Sequence, residues 1–225
     1  MISPHPPLLR SLGKLARGLS ALFWGLPATL LVCAETASAD WLKPMGFVPA
    51  LVVNGLLVYG LWQMADFQRQ ERPWRQALDR AQLLSLVLLG LCPFIYWHNR
   101  VPEQTWFTYA VWLMQLTGVV FLFNLNLVLN RLGAMLPDET LRHELRQFTT
   151  LNRWLLVALL FFSGASISLL SCWQPMPHLG QALVWLNRFN DLLLIFFILL
   201  PLAMTMALIW KIKEVILDAV FGSRN

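Results

Sequence analysis

Apolar residues run along the chain in six long stretches, and the short segments between them collect most of the charge. An α-helix needs about 17 to 25 predominantly apolar residues to cross the hydrocarbon of a bilayer. By that measure the predicted spans are 18–35, 46–64, 81–98, 105–130, 154–173 and 189–210. The pattern predicts an all-α fold: a polytopic membrane helix bundle of about six transmembrane helices, forming a single membrane domain over residues 1–225. The fourth stretch is long enough to tilt or to protrude.

Orientation follows from lysine and arginine, which are retained on the cytoplasmic side of a membrane. One side holds Arg10, Lys14 and Arg17, then Arg69, Arg72, Arg75 and Arg80, then Arg131, Arg142, Arg146 and Arg153, and finally Lys211, Lys213 and Arg224. The other side holds only Lys43, Arg100 and Arg188. Fourteen against three predicts that both termini face the cytoplasm. Tryptophan, which favours the headgroup level, fits the same frame. Trp41, Trp97, Trp106, Trp173 and Trp185 fall at the outer boundary, and Trp62, Trp74, Trp154 and Trp210 at the inner; Trp24 and Trp112 lie well inside spans. The first stretch has a competing reading as a secretory signal, with basic residues, an apolar run and Ala37-Ser38-Ala39 before Asp40. Its length and Pro27 at its middle favour an uncleaved first helix.

Pro7, Pro73 and Pro137 each precede an odd-numbered span at near-equal spacing, and proline is favoured at a first helical position. Each opens a basic amphipathic segment expected to lie along the inner headgroups before the chain turns into the membrane. This spacing predicts three tandem two-helix units.

Composition agrees with a bilayer as the natural solvent: 57% of the 225 residues are hydrophobic and 13% charged, against roughly 25% charged in an ordinary soluble domain. The net charge of +5 sits in the segments between spans rather than on a folded basic face, which argues against nucleic acid as a partner. Cys33, Cys92 and Cys172 have no metal-ligand spacing. They read as small buried residues, with a Cys33–Cys172 disulfide as the alternative.

Candidate chemistry is sparse. Thr108, Gln115, Asn126 and Asn130 fall on one face of the fourth span, with Asn124 opposite. That stripe predicts either interhelical hydrogen bonding or the lining of a solute path, and its amides are expected to face the bundle interior. Asp191 is the acid placed within a span, where a carboxylate is a functional candidate, although Asn187 and Arg188 beside it suggest a solvated helix start. Gln115, Asn126, Asn130 and Asp191 are the candidate substrate-binding residues. Gly164, Ser168 and Ser171 form a small-residue face that permits close helix approach. Pro27, Pro93 and Pro201 interrupt spans and are expected to kink them.

The four histidines are scattered, and no phosphate loop, HExxH or nucleophile elbow occurs. The expectation is therefore a non-enzymatic multi-pass protein of the plasma (bacterial inner) membrane with no catalytic residue, metal or cofactor. Its partners are the lipid bilayer and a membrane-protein partner or a homo-oligomer. It would serve as a structural or accessory subunit, the alternative being a small-solute or ion transporter or channel with a path along the fourth span.

Overall fold

A computed structural model of the protein describes the backbone over residues 6–38, 43–67, 71–101, 103–135, 139–172 and 180–221. Side chains are described over 10–38, 44–67, 71–101, 103–135, 142–143, 145–161 and 195–218. Six helices appear, and no strand is present among the described residues. They are α1 (Pro6–Ser38), α2 (Val48–Met64), α3 (Arg72–Arg100), α4 (Thr105–Met135), α5 (Glu139–Cys172) and α6 (Gly180–Phe221). Four described stretches are long and apolar enough to cross a membrane: Arg10–Ser38, Arg72–Arg100, Thr105–Met135 and Ile195–Asp218. α2 is a shorter apolar helix. The protein is a membrane helix bundle.

The basic segments after the prolines do not turn. α1, α3 and α5 run through them into the apolar stretch as single helices of 33, 29 and 34 residues. The expected bend needs a break, and neither a proline nor a positive-φ glycine stands between segment and span in α1, α3 or α5. Where the chain does turn sharply, before α2, the short 3-10 helix Lys43–Met45 is followed by Gly46 at φ 63°, a backbone conformation open mainly to glycine.

The helices follow one another around a ring. Consecutive pairs α1–α2 and α3–α4 pack most extensively, α5 pairs with α6, and α6 closes against α1. α1 and α2 approach most closely at two glycines: a Cβ added to Gly18 would lie 2.6 Å from the carbonyl oxygen of Gly60. Leu15, Leu19 and Leu22 of α1 and Leu57 and Leu61 of α2 close the crossing above and below. Lys14 and Asp66 form an ion pair at the open end of the hairpin, where α1 begins and α2 ends.

Between helices the interior is held by side-chain donors on backbone carbonyls. Thr29 Oγ1 donates to Val53 O at 3.3 Å, Gln82 Nε2 to Leu61 O at 3.2 Å and Asn99 Nδ2 to Thr36 O at 3.1 Å. The outside is the reverse: Trp24, Trp62, Leu83, Phe161 and Phe196 turn outward. In water such a surface would drive aggregation, whereas lipid solvates it.

Trp74 departs from the expected inner belt. It is 1% exposed, donates from Nε1 to Phe67 O at 3.1 Å and meets the Phe67 ring edge-on at 6.3 Å. It pins the α2–α3 connection from beneath instead of standing at the headgroups, because an indole N–H with a carbonyl partner can be buried without loss. Trp74→Phe should cost about 1 kcal/mol and speed hydrogen exchange around Phe67, with the rest of the bundle unchanged. Equal protection at Phe67 in both proteins would show that the indole bond holds nothing.

Candidate functional site

Three fully buried polar side chains from three helices meet in the second half of the bundle. Asn126 of α4, Asn152 of α5 and Thr205 of α6 are each 0% exposed. Asn126 Nδ2 donates to Thr205 Oγ1 at 3.0 Å and to Leu122 O of its own helix at 2.8 Å. Asn152 Nδ2 donates to the same Oγ1 at 3.0 Å and to Pro201 O at 3.3 Å. Thr205 sends its one proton to Pro201 O at 2.8 Å. The hydroxyl is thereby saturated, one bond given and two accepted.

Local sequence explains each position. Thr205 lies four residues after Pro201, so its hydroxyl reaches back one turn to the proline's carbonyl, a bond that often accompanies a helix bend. Asn152 lies on the buried stripe of α5 with Leu145, Thr149 and Leu156, spaced by threes and fours as a helix requires. Asn126 sits beside Leu125 and Leu129 on the flank of α4 that α5 and α6 cover.

The amide oxygens are left over. Asn126 Oδ1 and Asn152 Oδ1 are buried without a partner, as is Thr149 Oγ1 one turn away on α5. The node is therefore neutral, supplies no group that exchanges protons near neutral pH, and offers acceptors. It can hold helices together, or it can receive a donor such as a water molecule. Among the described residues no three His, Cys, Asp or Glu side chains gather as a metal site would require.

The predicted stripe on α4 is only partly assembled here. Asn126 is buried, Asn130 is half-buried and Gln115 is exposed. The expectation that all three amides face the interior fails at Gln115. Eleven residues separate it from Asn126 on the same flank, and among the described residues the hydrogen bonds from α5 and α6 meet that flank at Asn126, through Thr205. Thr108 stands 3.4 Å from His98 Nδ1 near the far end of α4, and Asn124 donates to Val120 O at 2.9 Å within its own helix. The side chains of Asp191, Gly164, Ser168, Ser171 and Cys172 lie outside the described residues. Cys33 is a free thiol among the described residues, and the disulfide alternative involves Cys172, whose side chain lies outside them.

Sequence reasoning did not single out Asn152, Thr205 or Asn54. Asn54 of α2 is buried, donates to Ala50 O at 2.9 Å and stands 3.6 Å from Cys33 Sγ, and its Oδ1 is unpartnered. An amide inside an apolar run was the available signal for Asn54, and a threonine four residues after a proline the signal for Thr205. Comparison with protein-family models, curated proteins and solved structures yields no match.

Proposed function

We propose that the chain crosses the plasma (bacterial inner) membrane six times, with both ends in the cytoplasm, and serves as a non-enzymatic structural or accessory subunit of a membrane assembly. One observation carries the reading: the buried amides of α4 and α5 both spend their N–H groups on Thr205 of α6. Side chains so engaged act as interhelical glue.

The six-span count is supported by length. The 17 residues of α2 rise about 26 Å, near the roughly 30 Å of a hydrocarbon core, and α5 packs beside the apolar α6 as its hairpin partner. Three tandem units gain support from burial. Leu15, Leu19, Leu22 and Leu26 are buried in α1, Ala81, Ser85, Leu88 and Cys92 in α3, and Leu145, Thr149, Asn152 and Leu156 in α5. Each quartet stands eight, twelve, fifteen and nineteen residues after Pro7, Pro73 or Pro137. These equal offsets support one register for the inward faces of the three odd helices.

A second reading, a small-solute path along the fourth span, is favoured by the free acceptors Asn126 Oδ1 and Asn152 Oδ1. Purification in mild detergent separates the two. The subunit reading expects a stoichiometric membrane-protein partner or a second copy, and vesicles holding the chain alone that pass solutes no faster than empty ones. Flux from the lone chain, abolished by Asn126→Leu, would reverse the order.

Topology has its own expected result. Reporters fused after Trp41, Arg100 or Pro177 should read outside, and those after Gln70, Thr140 or Asn225 inside. An inside signal at Arg100 would defeat the six-span arrangement.

A further inference from the structure

Gln115 is an exposed primary amide in the middle of a span. It lies ten residues beyond Thr105, the start of α4, which at about 1.5 Å per residue puts it about 15 Å along a helix. That is half of a hydrocarbon core about 30 Å thick. Its side chain is exposed, and among the described residues nothing hydrogen-bonds it. Asn54, Asn124 and Asn126, amides well inside other stretches of the described apolar helices, all donate to groups of their own chain.

Acyl chains offer such an amide neither donor nor acceptor. Whatever covers Gln115 must supply both at the same depth. A second copy related by a twofold axis along the membrane normal does so without further design, because the axis brings every residue to its own depth in the partner. Two primary amides are mutually complementary, each giving one N–H and accepting one. Gly118, three residues on, adds the room: a Cβ built there meets nothing within 4 Å. Gly18 and Gly60 show the same device already used, each filled by the other's helix. Among the described residues the notch on α4 has no occupant, and exposed Trp112 and Leu116 flank it.

We propose that this face of α4 is the self-association surface of the protein, two copies meeting so that their Gln115 amides hydrogen-bond across the axis while Gly118 lets the helices close. The inference rests on the subunit reading and names its partner as another copy of this chain.

The test counts copies of the full-length chain, labelled at its C-terminus, by photobleaching in phosphatidylethanolamine–phosphatidylglycerol vesicles at graded protein density. The wild type should bleach in two steps at high density and one at low. Gln115→Leu should move the midpoint to about tenfold higher density, in line with interhelical hydrogen bonds in membranes. Gly118→Ile should move it likewise, and Gln115→Asn much less. Because nothing in the described chain bonds Gln115, thermal stability of Gln115→Leu in detergent should match the wild type. A photo-crosslinking residue in place of Gln115 should yield a covalent dimer, and one in place of exposed Leu113 should not. Single-step bleaching at every density overturns the inference, as does a dimer that Gln115→Leu leaves unmoved. Crosslinking at 115 to a different protein also overturns it, while leaving the subunit reading in place.

Discussion

Gly18→Leu is expected to take the α1–α2 hairpin apart. A Cβ at residue 18 would lie 2.6 Å from Gly60 O, 2.9 Å from Met64 Cγ and 3.2 Å from Gln63 Cβ. The nearest of these is backbone, which cannot rotate away as a side-chain tip can. α1 and α2 must then separate, and Leu19, Leu22, Leu57 and Leu61, all buried at this crossing, lose their packing. Dispersion falls steeply with a gap of even half an ångström, so the loss spreads along both helices. The cost should be about 3 kcal/mol or more, the upper range for overpacking a close-packed site.

Gly18→Ala should already destabilise, because the clash begins at Cβ. Gly90→Ala is the counterpart: nothing lies within 4 Å of a Cβ there, and alanine favours a helix over glycine by up to about 1 kcal/mol. Thermal unfolding in detergent should order the variants as Gly90→Ala at or above wild type, then Gly18→Ala, then Gly18→Leu. If Gly18→Leu melts with the wild type, the two helices do not cross at these glycines.

The helices themselves were legible because apolar length is a strong signal, whereas the faces they bury came only with the structure. The polar node was not legible for a physical reason. Gln115 and Asn126 share a face of α4 by helical period alone, yet one is exposed and the other buried. Which of them is covered depends on where α5 and α6 lean, a tertiary fact that no periodicity within α4 contains. Asn152 stands between Leu151 and Arg153, two residues before the predicted fifth span, where a polar residue is ordinary. Its counterparts in the same register are Leu22 and Leu88, so the asparagine is a local departure from an apolar rule. Trp74 misled in the opposite sense. A tryptophan at a span boundary has one sequence signature whether it faces headgroups or a neighbouring carbonyl, and here it found Phe67 O.

That departure at Asn152 sets up the second large effect. Thr205→Val keeps the shape of the side chain and removes the hydroxyl that both amides use. Asn126 Nδ2 is left with Leu122 O and Asn152 Nδ2 with Pro201 O, while both Oδ1 atoms stay unpartnered. Interhelical hydrogen bonds in membranes average about 0.6 and reach about 1.7 kcal/mol each, so losing two should destabilise by about 2 kcal/mol. Removing the remaining polar groups should then restore stability, because replacing every partner by apolar groups of similar size leaves no orphan behind. Asn152→Leu installs the residue that the other two odd helices carry in this register, and Asn126→Leu completes the change. The triple variant should recover at least half of the lost stability, a non-additivity that only side chains in mutual contact produce. Additive costs of the three substitutions would mean that they do not form one node. The recovered triple variant also decides what the node is for. If it is glue, the dry bundle still retains its partner and vesicles containing it behave as the wild type does. If Asn126 Oδ1 and Asn152 Oδ1 receive a passing solute, the triple variant is folded and stable, and the flux measured with the wild type is gone.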